Sequence, residues 1–335
     1  MEEEQLSKSK HDQFMKVFKY YKSNTRKPLL NDVISVDVCG TDKVTEFTPD
    51  KPREDPRIET LGLRCPKEWQ IVTINRNPGL LFIRNPFTAL GQRYWIRRCL
   101  QEYSKKPNRL NTDIDGYLQD WWTECFKLKK CDRPLQKKLR WATLGYHHDW
   151  DTKIYTEENK SPFPEDLAEL SDVFAEFLGY SDFKAEAAIV NYYHMNSTLS
   201  AHTDHSEVNL EAPLFSLSFG QSAIFLIGGK DKSVEPSAIL LNSGDVVVMS
   251  EEARLCYHAV PKILPAPDSP WDAKDYTSIS TTTPNFKYIS QPEEIVTQMN
   301  ENADNEIWYH FRNYIQESRI NMNVRQVLNK KQDSL

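Results

Sequence analysis

Apolar positions recur at helical spacing in the first half of this chain and at alternating spacing in the second. Phe14, Val17, Phe18 and Tyr21 repeat every three or four residues and predict an amphipathic helix over 12–22. From Thr25 to Leu63 the chain is rich in Pro, Asp, Glu and Lys with only short apolar runs, and it reads as an irregular wrap. Residues 79–84 predict a short strand closed by Asn85 and Pro86. Residues 89–103 predict a helix with Trp95, Ile96, Cys99, Leu100 and Tyr103 buried and Arg93, Arg97 and Arg98 turned outward. The segment 121–140 begins as a helix around Trp121, Trp122 and Phe126 and is expected to break near Pro134. The clearest helix is 164–178. Pro164 suits its first turn, Leu167, Leu170, Phe174, Phe177 and Leu178 form its stripe, and Gly179 stands just past its end.

Beyond residue 185 the period drops to two. Strands are predicted at 186–193, 214–219, 223–227, 238–241, 245–249 and 320–327, with turns at Gly228–Gly229 and Asn242–Gly244. Many short strands separated by turns indicate an antiparallel sandwich or barrel. The segment 261–306, rich in Pro, Ser, Thr and acids, reads as a long insert. A last helix near 306–317 is expected to bury Ile307, Trp308, Phe311 and Ile315. The expected class is therefore α+β, mainly β. It has three parts: an N-terminal helix and irregular extension (1–68), a helical, basic region (69–184), and a sheet domain (185–330) carrying the insert 261–306.

Composition narrows the class. With 335 residues, 39% of them apolar, the chain can bury a sizeable core. Its six cysteines include no pair at zinc-knuckle or dithiol spacing and read as thiols of a reducing compartment. No apolar run is long enough to span a membrane, and Glu2, Glu3 and Glu4 fit poorly with a mitochondrial presequence. A monomer in nucleus or cytoplasm is the expectation, with the mitochondrion kept as an option. The net charge of −6 hides a separation: 93–140 holds thirteen basic and six acidic residues, and 251–310 holds four basic and ten acidic. Separated fields of this kind can orient a polyanion, and they can equally be two solvated faces.

His202 and Asp204 form His-x-Asp, and on a strand i and i+2 point to one side. His258 follows a predicted strand 54 residues later. Two imidazoles and a carboxylate can hold iron(II) as a facial triad that leaves three positions open, although such a set also binds zinc or manganese. His194 and His205 are alternative ligands, His205 reading as an outward or supporting group. Arg319 to Arg325 alternates strictly: Arg319, Asn321, Asn323 and Arg325 share one face, and Ile320, Met322 and Val324 the other. A polar face with two guanidinium groups suits a carboxylate ligand. An edge strand with solvated charges is the alternative.

Several stretches together are similar to the AlkB family of nucleic-acid dioxygenases, specifically its ALKBH1 branch. They are LRWATLGYHHDW from Leu139, AEAAIVNYY from Ala185, PLFSLSFGQSAIF from Pro213, SGDVVVMS from Ser243, and the closing Arg-x-Asn-x-x-x-Arg strand. The resemblance covers roughly 12–30 and 69–330. It implies a double-stranded β-helix, or jelly-roll, with the N-terminal helices and a nucleotide-recognition region packed on it. It implies iron(II) on His202, Asp204 and His258, and 2-oxoglutarate held by Asn191, Tyr193, Arg319 and Arg325, with Asn321 on the same face. The chain departs from the family pattern at Asn323, where Thr is common, and at Glu251 and Glu252, where small residues are common.

The resemblance further implies oxidative removal of methyl groups from nucleobases, with dioxygen as cosubstrate. The base must leave its stack to reach a buried metal, and Tyr146, Trp150 and Tyr155 are candidates to grip it. Lys127, Lys129, Lys130, Arg133, Lys137, Lys138 and Arg140 are candidates for phosphate contact. N1-methyladenine or 5-methylcytosine in tRNA and N6-methyladenine in unpaired DNA are the expected substrates, tRNA being favoured for its exposed loop bases. A dioxygenase acting on a protein side chain and a catalytically weak binding or scaffold protein are the alternatives.

Overall fold

The computed structural model describes residues 12–25, 28–37, 40–49, 54–116, 118–127, 131–273, 279–280 and 283–335. Among these residues thirteen strands form two antiparallel sheets, with helices packed outside them. In chain order the elements are α1 (Gln13–Lys22), β1 (Val44–Glu46), α2 (Arg57–Thr60), β2 (Gln70–Ile74), β3 (Leu80–Arg84), α3 (Ala89–Arg97), β4 (Arg109–Leu110), α4 (Trp121–Phe126), α5 (Arg133–Lys138), β5 (Trp141–Gly145), α6 (Glu165–Phe177), β6 (Ala187–His194), β7 (Leu199–His202), β8 (Leu214–Gly220), β9 (Ser222–Ile227), β10 (Ser237–Leu241), β11 (Val246–Met249), β12 (His258–Leu264), α7 (Pro292–Glu301), α8 (Asn305–Ile315) and β13 (Ser318–Arg325). The large sheet runs β1-β2-β3-β11-β8-β13-β6-β5-β4 and the small one β10-β9-β12-β7.

The alternation of each strand assigns its two faces. Leu81 and Ile83 of β3, Val246 and Val248 of β11, and Ile320, Met322 and Val324 of β13 enter one core with Tyr94, Trp95, Leu170, Phe174 and Phe311 from the helices. Leu80 and Phe82, with Val247 and Met249, point the other way and meet Phe225, Ile227, Ile239 and Leu241 of the small sheet. A one-residue slip would exchange these sets, so two-sided burial fixes the register. On β6, β8 and β13 the inward face turns polar, and a cavity of about 670 Å³ opens between the sheets there. α1 closes the outer face of the small sheet. Asp12 caps its Met15 amide, and Phe14, Phe18 and Tyr21 pack on Ile224, Leu226 and Ala259, each ring contributing about 2 kcal/mol by burial.

The structure corrects several expectations. Arg93 is buried: it donates to the carbonyls of Trp271 and Asn302 and to Asn305, because the 261–306 segment folds back over α3. That segment is no simple loop. Its first four residues belong to β12, residues 292–301 form α7, and Trp271 and Met299 are fully buried. Pro134 does not break a helix but stands in the first turn of α5, where a missing amide costs nothing; the interruption precedes it. In α8, Ile307 is 38% exposed, and Tyr314 occupies the buried stripe instead. Strands β1, β2, β4, β5, β7 and β12 were not foreseen, and β13 begins two residues early. No helix among the described residues is long and apolar enough to cross a membrane.

Candidate active site

β12 and β7 pair so that His258 lies directly opposite His202, and the two rings stand 4.3 Å apart between centroids. Asp204, just past β7, brings its carboxylate within 3.9 Å of His202 Nε2 and 3.7 Å of His258 Nε2. The three donor atoms lie within 4.8 Å of one another. His202 Nδ1 faces the Ser200 carbonyl at 2.9 Å and His258 Nδ1 the Cys256 carbonyl at 3.1 Å. A carbonyl only accepts, so each Nδ1 carries the proton and each Nε2 offers a lone pair to the shared point. Burial, reinforced by the neighbouring His202, lowers the His258 pKa to about 4 and keeps that ring neutral. Burial opposes ionisation of Asp204, but Arg325, His258, His202 and Arg254 outweigh it and hold the carboxyl well below its usual range. Two neutral nitrogens and one anionic oxygen on a shared side are the donor set of a facial iron(II) site. His205 is exposed and bonded to Thr203. Neither His205 nor His194 joins the cluster.

Arg325 fixes the carboxylate. Its Nη2 reaches Asp204 Oδ2 at 3.0 Å and its Nε reaches Glu207 Oε1 at 3.0 Å. Glu207 also takes Arg254 Nη2 at 3.0 Å, and Arg254 Nη1 donates to the Asp204 carbonyl at 2.7 Å. Sequence reasoning missed Glu207 and Arg254. Glu251 and Glu252 share a short turn with Arg254, yet both are exposed and neither lines the cavity, while Arg254 folds inward.

Away from the triad, the register sets Arg319 against Tyr193 and Asn321 against Asn191 across β13 and β6, and all four side chains line the cavity. Arg319 is 1% exposed. Its Nη2 donates to Ser218 Oγ at 2.7 Å and its Nη1 to the Gln221 carbonyl at 3.3 Å, while Nε is buried with no partner. Tyr193 Oη is buried and equally without a partner. Burial lowers Arg319 to about 10 and raises Tyr193 to about 12, so at neutral pH one is a cation and the other a neutral donor. An orphaned guanidinium N–H and an orphaned hydroxyl in one cavity are what a distal carboxylate would satisfy, since unpaired buried donors are costly. Asn321 is already engaged with Ser216 and Leu217, and Asn323 with Asn321; they shape the wall. Tyr193→Phe is expected to raise the KM for 2-oxoglutarate about tenfold with little change in kcat, a hydrogen bond to a charged group being lost. Succinate formation against 2-oxoglutarate concentration checks this, and an unchanged KM would remove Tyr193 from the pocket.

Trp150 and Tyr155 stand on the cavity wall, joined by His148 and Lys153, which sequence reasoning passed over. Tyr146 does not reach it: the ring is buried beside Tyr155 and its hydroxyl donates to Glu157. Of the basic candidates, Lys127 pairs with Glu124, Arg133 with Glu317 and Lys138 with Asp115. Lys137 and Arg140 are exposed without a carboxylate partner among the described residues. Lys129 and Lys130 lie outside the described residues.

Residues 79–325 match the family described as the 2OG-Fe(II) oxygenase superfamily. Nucleic acid dioxygenase ALKBH1 of Mus musculus is 37% identical over 344 residues, covering 97% of this chain and 86% of that protein. Its namesake from Homo sapiens is 40% identical over 278 residues, covering 80% and 69%. The tRNA demethylase abh1 of Schizosaccharomyces pombe is 42% identical over 311 residues, covering 86% and 92%.

Proposed function

The chain belongs to the 2OG-Fe(II) oxygenase superfamily, in its AlkB-type, ALKBH1-like branch, and from that premise we propose that it demethylates nucleobases in tRNA. Iron(II) and 2-oxoglutarate are its cofactors, and together with dioxygen they supply the oxidation that turns an N-methyl group into one that leaves as formaldehyde. We read the two facing sheets as the halves of a double-stranded β-helix that carries this chemistry between them.

The observation that carries the reading is the pairing of a His–Asp–His cluster with two orphaned donors, Tyr193 Oη and Arg319 Nε, in one cavity. The residues divide the work. His202, Asp204 and His258 hold the metal through groups already in the right protonation state. Arg319, Tyr193 and Asn191 hold and orient the oxoacid. Arg325 keeps the Asp204 carboxylate from turning. The cavity between the sheets is wide enough to admit an unstacked base, and its apolar wall at Phe225, Leu241 and Met249 keeps the floor dry. No side chain is needed as general base or nucleophile.

N1-methyladenine in tRNA is the substrate we place first; the S. pombe relative, a tRNA demethylase, supports tRNA as the nucleic acid. N6-methyladenine in unpaired DNA and 5-methylcytosine in tRNA come next; the latter, a C-methyl, would stop at the hydroxymethyl or formyl stage. Mass spectrometry of nucleosides from tRNA and unpaired DNA, incubated with the protein, iron(II) and 2-oxoglutarate, tests the ranking. Loss of N1-methyladenine with matching formaldehyde is expected. Succinate formed with no change in any nucleoside would overturn it, since the oxoacid would then be consumed without oxidation of any base. Phosphate contact is assigned to the exposed cations of α5 and its exit. Lys137→Glu with Arg140→Glu is expected to weaken tRNA binding and flatten its log–log salt dependence by about 0.7–0.9 per lost contact. Identical salt titrations would take this segment out of the interface.

A further inference from the structure

The rings at the cavity mouth form a continuous series. Trp141 lies 5.2 Å from Trp150 between centroids, Trp150 lies 4.7 Å from His148, and His148 lies 5.5 Å from Tyr155. The series starts at half-buried Trp141, beside exposed Arg140, passes Trp150, which is 41% exposed, and ends at buried Tyr155 inside the cavity. Two lysines share the cavity wall with it. Lys153 Nζ sits 5.5 Å from the Trp150 ring centroid, and Lys232 Nζ sits 5.1 Å from that of Tyr257. Both lysines and Tyr257 line the cavity, and they come from separate segments, one after β5 and the other between β9 and β10. Neither lysine pairs with a carboxylate among the described residues, unlike Lys127, Arg133 and Lys138.

The turn that carries Lys153 is built with care. Asp149 Oδ1 accepts from the amides of Asp151 and Thr152, the Lys153 amide donates to the Asp149 carbonyl, and Lys153 takes a left-handed φ of 63°. A lysine there costs on the order of 1 kcal/mol that glycine would not. Among the described residues no carboxylate or carbonyl bonds its ammonium, whose one contact there is with the Trp150 ring.

Taking the demethylase reading as its basis, we infer that this series of rings, together with Lys153 and Lys232, is the entry track for a single-stranded segment of nucleic acid. The nucleotide next to the reacting one stacks on Trp150, and the two ammonium groups hold phosphates at the mouth. The rings meet one another tilted or edge-to-face, at 47°, 81° and 63°, so exposed Trp150 presents a face to a base, and cations with no carboxylate partner among the described residues line the same cavity to take the phosphates. These groups do not suit an acidic peptide, which has no rings to stack, or a duplex, whose bases are already stacked.

The test is binding of an unmethylated single-stranded oligonucleotide, read by anisotropy at fixed salt, so that turnover plays no part. Trp150→Ala is expected to weaken affinity roughly tenfold. Lys153→Gly with Lys232→Ser is expected to do the same and to flatten the salt dependence. Lys153→Gly relieves the left-handed backbone, so its unfolding temperature should not fall and lost affinity cannot be put down to misfolding. A duplex of the same sequence should bind more weakly. Wild-type affinity in these variants, or a preference for duplex, overturns the track and leaves the demethylase reading standing. Weakened variants of a protein that releases no formaldehyde from any methylated nucleic acid would support the track and overturn the demethylase reading. A wild-type protein that binds no oligonucleotide overturns both.

Discussion

Replacing His202 with Ala is expected to bring succinate and formaldehyde production to background while the unfolding transition stays within about 1 kcal/mol of wild type. His202 makes its contribution at the metal and almost nowhere else: its side chain is 37% exposed, and among the described residues its one hydrogen bond is to the Ser200 carbonyl two residues away. Removing it takes one of three donors from the ion and leaves Asp204 and His258 in place. Loss of a group that merely supports a ligand costs 10–100-fold in metal affinity or activity, so loss of a ligand should exceed that range. Asp204→Ala should be as inactive. Arg325 would still be held by Glu207 at 3.0 Å, and the fold should survive there too. The check is formaldehyde released from methylated tRNA at saturating iron, beside a thermal melt. Normal release from either variant would take the metal away from that residue and end its assignment as a ligand.

The part of this site that was legible in the sequence is the part that obeys a period. His202 and Asp204 at i and i+2, and Arg319 to Arg325 with polar residues at every second position, follow from strand geometry, and the structure places both on the cavity. The strands that carry His202 and His258, β7 and β12, were not legible. β12 contains Pro261 and Lys262 and pairs with register shifts on both sides, so its alternation is broken where a sequence pattern would be sought. Long-range partners were equally hidden. Arg93 has the neighbours of a solvent-facing residue in its own helix, and only the chain near 271 and 302, some 180–210 residues away, explains its burial. The positive excess in 93–140 is real as a count, but Glu317 reaches back 184 positions to Arg133. That pair cancels one of the seven excess charges, and the lysines at the mouth lay outside the counted window.

Glu207 was the least legible residue, a glutamate three positions past Asp204 with no motif around it, and its removal is expected to have the second-largest effect. It is 5% exposed and sits between two buried guanidinium groups, Arg254 and Arg325. Each of those touches Asp204, Arg254 at the carbonyl and Arg325 at the carboxylate. Glu207→Ala leaves Arg254 with backbone carbonyls only, and Arg325 with Asp204 and the Asn323 carbonyl. A buried charge stripped of its partner destabilises by about 3–5 kcal/mol, which for a chain of this size is a fall in melting temperature of roughly 10 °C. Glu207→Gln keeps the shape and removes the charge, and its amide places a donor where two guanidinium groups already donate. Arg325 then turns wholly to Asp204 Oδ2 and competes with the ion for that oxygen. Iron(II) affinity should fall about 10–100-fold even where the protein is fully folded, and Glu207→Asp should recover part of it. Titration of each folded variant with iron(II), below its melting temperature, separates the two effects. A Glu207→Gln protein that melts and binds iron like wild type would mean that Arg325 needs no second anchor.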